Sequence, residues 1–136
     1  MLVPGILGDS IDKQHKDWID VFSITQTFDP GSKNINPCLV EVGKFIDRAG
    51  PKLWLAAVTG QRFNSITIEF QKPGGDLPFK FYELKLNNAV VNSITSTPDA
   101  LMERLTLIAQ TLELTFITQQ LDGTPGGAVK AVVDCR

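Results

Sequence analysis

Residues able to do chemistry are few in this chain, and their spacing is poor for it. The single histidine, His15, sits in a charged run with Asp12, Lys13, Lys16 and Asp17. An imidazole beside carboxylates could act as a base or a metal ligand. With no second histidine and no nucleophile at a fixed spacing, we read His15 as a solvated loop residue. Cys38 and Cys135 lie far apart in sequence and make no metal-ligand set with one histidine. Lys72-Pro73-Gly74-Gly75 joins two strand-like runs. It lacks the following helix and the Lys-Ser/Thr pair of a phosphate loop. Ser10 and Ser23 have no nucleophile-elbow motif around them. Asp47-Arg48 and Glu103-Arg104 read as solvated pairs at element ends. The signals argue against an enzyme, and no cofactor or metal is expected.

Composition narrows the remaining classes. The chain has 136 residues, 43% of them hydrophobic, with a net charge of −2. That is enough to bury a core as one domain, residues 1–136. The weak net charge gives no reason to expect nucleic acid or an anionic membrane as partner. No transmembrane run is present. The opening MLVPGILGDS is too short and interrupted for a signal peptide, so the chain is expected to fold in the cytoplasm. There the two cysteines would be free thiols. A cross-link between subunits after export is the alternative.

The elements that must carry any site are mostly strands. One helix is legible at about 50–59. Gly50 offers a cap, Pro51 suits a first helical position, and Gly60 suits the left-handed residue that ends a helix. Leu53 to Val58 is apolar throughout, so the helix is expected to be buried on most sides, with Trp54 in the core. Strand patterns run over 2–7, 18–28, 35–46, 63–71, 77–95, 101–120 and 128–135. The phase of 77–95 slips near Asn87-Asn88, which predicts a bulge or bend. Segment 101–120 has helix formers, but its later part alternates with period two and is read as strand. Asp29-Pro30-Gly31-Ser32 and Lys72 to Asp76 are turns. In the 18–28 strand, Phe22, Ile24 and Phe28 share one face, while Ser23, Thr25 and Thr27 share the other. The fold class is mainly β: a small barrel of about seven strands, or a sandwich, with one side helix. Its long strands leave edges that a closed ring of identical subunits would cover.

Four stretches, in order, resemble the Hcp family, the tube proteins of type VI secretion. Residues 8–23, GDSIDKQHKDWIDVFS, resemble its turn, charged loop and Ile-Asp/Glu-Val strand. Residues 42–60, VGKFIDRAGPKLWLAAVTG, resemble its lysine-containing strand end, Asp, helix start, Leu/Ala-rich run and glycine. Residues 65–75 resemble its basic-Gly-Gly hairpin, and 87–96 its following strand. The chain departs from the family in a short loop at Phe28 to Asn34, Gly50 in place of a Ser or Thr cap, and an end, VKAVVDCR, without an aromatic strand terminus.

The resemblance implies a homohexameric ring with a wide pore. It further implies rings stacked into a tube within a contractile sheath, capped by a spike, carrying small effector proteins and performing no catalysis. It implies a protein cytoplasmic before firing and then secreted without a signal peptide. Thr25 matches the family's pore-facing strand position, and alternation adds Ser23 and Thr27 as lumen-lining. The alternatives are an adaptor or dedicated effector carrier that forms no long tubes, and a monomeric small-molecule-binding barrel with its pocket under the helix.

Overall fold

The computed structural model describes residues 1–31, 36–74 and 77–135. In chain order they form β1 (Ser23–Gln26), β2 (Leu39–Phe45), α1 (Gly50–Thr59), β3 (Arg62–Lys72), β4 (Phe79–Thr97), β5 (Met102–Ile108), β6 (Thr111–Gln119) and β7 (Pro125–Asp134). A short 3-10 turn, Pro98–Ala100, joins β4 to β5. All strand pairings are antiparallel, in one curled sheet ordered β1-β2-β5-β4-β6-β7, with β3 also on β4. The result is a half-barrel with one helix, the fold class expected.

Strand β4 is the spine. Its first half pairs with β3 and β6, and its last residues pair with β5. The expected irregularity is there in two parts. Asn88 takes a left-handed backbone (φ 52°), and the register shifts between Val91 and Ser93. Together they turn one strand between two sets of partners. Alternate residues fill the core: Val40 and Val42 of β2, Ile66 and Ile68 of β3, Leu84 and Leu86 of β4, Leu105 and Leu107 of β5. Segment 101–120 is strand, divided into β5 and β6 by a tight connection at Ala109-Gln110.

Several expectations are corrected. Residues 2–7 form no strand: Pro4 and Gly5 (φ 80°) turn the chain, and Leu2 alone bridges to Thr67. The 18–28 strand shrinks to β1. Among the described residues β1, an edge strand, has a partner on one side only; of the face expected inward, Ile24 packs on the core, whereas Phe22 and Phe28, just outside β1, stay 45% and 66% exposed. The 35–46 strand begins at Leu39, and Ile35 lies outside the described residues. So do Ser32 and the Gly75-Asp76 part of the second turn.

The helix has the expected span, and Gly60 ends it in the left-handed region (φ 67°). Ala49 is the cap, however, and Gly50 is already helical. The helix lies against β4 and buries only the stripe Gly50, Leu53 and Ala56. Trp54, Leu55 and Val58 are 43%, 63% and 78% exposed. At about 100° per residue, six consecutive apolar side chains point all round the axis, and a helix packed on one side covers only some of them.

The cysteines are neither free nor cross-linked between subunits. Cys38 and Cys135 form a disulfide within the chain, their Cα atoms 6.1 Å apart. Sequence distance hid this, because Cys38 precedes β2 and Cys135 follows β7, and both elements end beside the Ala109-Gln110 connection. There Ala109 N–H donates to the Cys38 carbonyl and Cys135 N–H to the Gln110 carbonyl.

Candidate functional site

Strands β1, β2, β5 and β4 present one polar face. Register places Ser23, Gly43, Arg104 and Thr95 in one row across the four strands. The next row is Thr25, Glu41, Thr106 and Ser93. One residue out of phase, Ile24, Val42, Leu105 and Ile94 line up on the other face and join the core. The period-two pleat thus separates a dry side from a wet side. The two polar rows line a shallow depression of about 250 Å³. Ser93 and Thr106 share a hydroxyl hydrogen bond of 2.7 Å. Glu41 and Arg104, diagonal neighbours, form no ion pair among the described residues.

Gly43 has a packing role in this face. A Cβ there would stand 2.4 Å from Ser23 Oγ and 3.0 Å from the Phe22 ring. Its absence lets the edge strand lie close on β2, with Phe22 and Phe45 rings 4.9 Å apart. Of the three residues expected to share a lining face, Ser23 and Thr25 lie in these rows. Thr27 is exposed beyond the end of β1 and is not part of the depression.

Behind this face lies a charged cluster that fixes the helix. Lys44 is fully buried. Its Nζ donates to Glu103 Oε1 at 2.7 Å and Asp47 Oδ1 at 2.8 Å. Ser96 Oγ donates to Glu103 Oε2 (2.7 Å) and accepts from Trp54 Nε1 (2.8 Å). In the pairs Asp47-Arg48 and Glu103-Arg104 the arginines reach solvent as expected, but the carboxylates are largely buried. Asp47 and Glu103 hold Lys44, and Arg48 reaches Asp17 (2.6 Å) and the Gly8 carbonyl (2.6 Å). A signal for this was present. Lys44 is in phase with Val40 and Val42, and Glu103 with Leu105 and Leu107, so both charges fall on the core face and opposite one another. The cluster also explains Gly50: a Cβ there would lie 3.0 Å from the Glu103 carboxylate. That carboxylate beside the first turn complements the helix dipole.

His15 is corrected too. It is largely covered, packs edge-on against Trp18 (4.5 Å), and bonds Asp12 through Nδ1 and Glu69 through Nε2. Burial opposes its charge, but the two carboxylates outweigh burial and raise its pKa above the usual value. With both nitrogens taken up, His15 ties the 8–18 loop to β3. Glu69 also faces Lys80 at 3.7 Å.

The fold is shared with type VI secretion proteins. A solved structure described as a type six secretion system protein matches with a TM-score of 0.77 at 26% identity, covering 94% of this chain and 88% of that one. Hcp1 of Salmonella typhimurium shares the fold with a TM-score of 0.80 at 23% identity, over 98% of this chain and 90% of that one. In sequence, protein hcp1 of Pseudomonas aeruginosa is 26% identical over 140 residues, 92% of this chain and 86% of the relative. The sequence profile described as "Type VI secretion system effector, Hcp" matches residues 1–117. The chain belongs to the Hcp family.

Proposed function

We propose that the protein is a subunit of the type VI inner tube. Six copies form a ring, rings stack inside the sheath beneath the spike, and the β1-β2-β5-β4 polar face lines the lumen, where small effector proteins are carried. The role is structural rather than catalytic, and the protein leaves the cytoplasm with the tube. One observation carries this reading. Ser23, Thr25, Ser93, Thr95 and Thr106, with Glu41 and Arg104 between them, form a polar face on a sheet whose reverse side is core. Such a wall stays hydrated and gives a passenger few apolar anchors, so cargo is held weakly enough to be released. The edge strands β1 and β7 each pair on one side only, which supports joining edge to edge in a closed ring.

The test is Thr25→Arg. A long cation in the lumen should leave native mass unchanged and abolish retention of effector in a pull-down. Unchanged retention would remove this face from the lumen. Loss of the ring would place Thr25 in a subunit contact instead.

A further inference from the structure

The last strand is held differently from the others. Among the described residues β7 pairs with β6 alone, and it is exposed along nearly its whole length, with Val129 and Val132 both open to solvent. Only Val133 and Cys135 pack against the core. One ion pair, Lys130 to Glu113 at 2.7 Å, lies across the β6–β7 ladder. Beside the backbone ladder that runs from Thr111 opposite Asp134 to Gln119 opposite Pro125 stands one covalent attachment, the bond from Cys135 to Cys38 at the foot of β2. The two sulfur sites are unequal: Cys38 is fully buried, whereas Cys135 is half-buried.

We infer that the Cys38–Cys135 pair is a redox latch on the edge strand: closed, it ties β7 to the start of β2; open, β7 is retained by β6 alone and loosens first. With β2 to β6 in place, the bond pins only the segment that follows β6, so opening it frees the end of that segment. That end belongs to the most exposed strand, of which Val133 alone packs on the core, while Val40, Leu105, Leu84 and Ile66 are core residues of β2, β5, β4 and β3. The oxidant is a small disulfide such as oxidised glutathione. The more exposed Cys135 thiolate attacks one of its sulfurs and releases one thiol. The Cys38 thiolate then attacks the Cys135 sulfur of the mixed disulfide and releases the second. Two protein thiols become one disulfide, one small disulfide becomes two thiols, and the two cysteine protons end on them. In a reducing compartment the latch is open, and in an oxidising one it closes. That timing rests on the export reading above, while the latch itself does not.

The test is hydrogen exchange by mass spectrometry on the full chain, incubated with dithiothreitol or with oxidised glutathione. Thiol alkylation reads the state of the pair. The inference expects amides of 125–134 to exchange about tenfold faster or more when reduced, with 62–72 and 82–87 nearly unchanged. The Cys38→Ala/Cys135→Ala variant should behave as the reduced protein in both buffers. Equal β7 exchange in the two states, failure of glutathione to close the pair, or loosening of β3 and β4 as large as that of β7 would each overturn it. The last result would make the bond a staple for the whole fold. Because a ring would cover the β7 edge in both thiol states, native mass is recorded in each buffer and exchange is compared between samples of equal mass, which separates failure of the latch from failure of the ring reading.

Discussion

Replacing Lys44 by Met tests the energetic heart of the fold. The change keeps the aliphatic stem and removes the charge. Lys44 is fully buried, and the Glu103 and Asp47 side chains are 4% and 9% exposed. Asp47 retains the Ala49 N–H (3.1 Å) and Glu103 retains the Ser96 hydroxyl, so each carboxylate keeps one donor. What is lost is the cation that makes two enclosed carboxylates tolerable. Breaking one side of a buried pair costs about 3–5 kcal/mol. For a chain of this size that is a fall in melting temperature of about 10–20 °C. Urea denaturation followed by circular dichroism, at one fixed thiol state, measures it. Glu103→Gln and the Lys44→Met/Glu103→Gln double variant complete a cycle. The double variant should lose less than the sum of the singles by about 1–3 kcal/mol. A loss below about 1 kcal/mol for Lys44→Met, or strict additivity, would refute the claim that these charges form one buried unit.

Two further outcomes follow from the packing and the charges. Leu53→Ala should cost about 2–5 kcal/mol, since Leu53 is fully buried. Trp54→Ala, which a core tryptophan would make costlier at about 3–5 kcal/mol, should cost only about 1–2 kcal/mol, from one hydrogen bond to Ser96 and partial burial. Denaturation of the two variants side by side decides it, and the reverse order would contradict the placement of the helix. His15 sets a pH dependence. Its folded pKa is raised, so its stabilisation is fully present below the unfolded value of about 6.5 and is lost as pH rises through the folded value. His15→Gln should flatten the urea midpoint across that window, and a wild-type profile already flat there would sink the reasoning.

The helix was legible because both of its ends carry backbone chemistry, Pro51 at the start and Gly60 at the end. Strands β4 to β6 were legible because partners on both sides enforce clean alternation, and β3, paired with β4, because its alternate residues Ile66 and Ile68 are held in the core. The same rule failed at β1, where Phe22 and Phe28 kept the alternation without a second partner to bury them. Trp54 failed for a related reason, since an unbroken apolar run carries no phase and so does not say which side faces the sheet. The wet face was half legible: Ser23 and Thr25 could be found from their own strand, but Thr95, Ser93 and Thr106 join them only through the β2-β5-β4 register. Lys44 opposite Glu103, His15 between Asp12 and Glu69, and Cys38 bonded to Cys135 are all contacts between distant segments. Only the first leaves a trace in sequence, as two charges in phase with buried neighbours.

The central claim, that this chain builds rings with the polar face inward, is tested most directly by its native mass. Light scattering on a sizing column, with and without reductant, should give six times the 14.9 kDa chain mass in both. A clean monomer at high concentration in both conditions would contradict the ring.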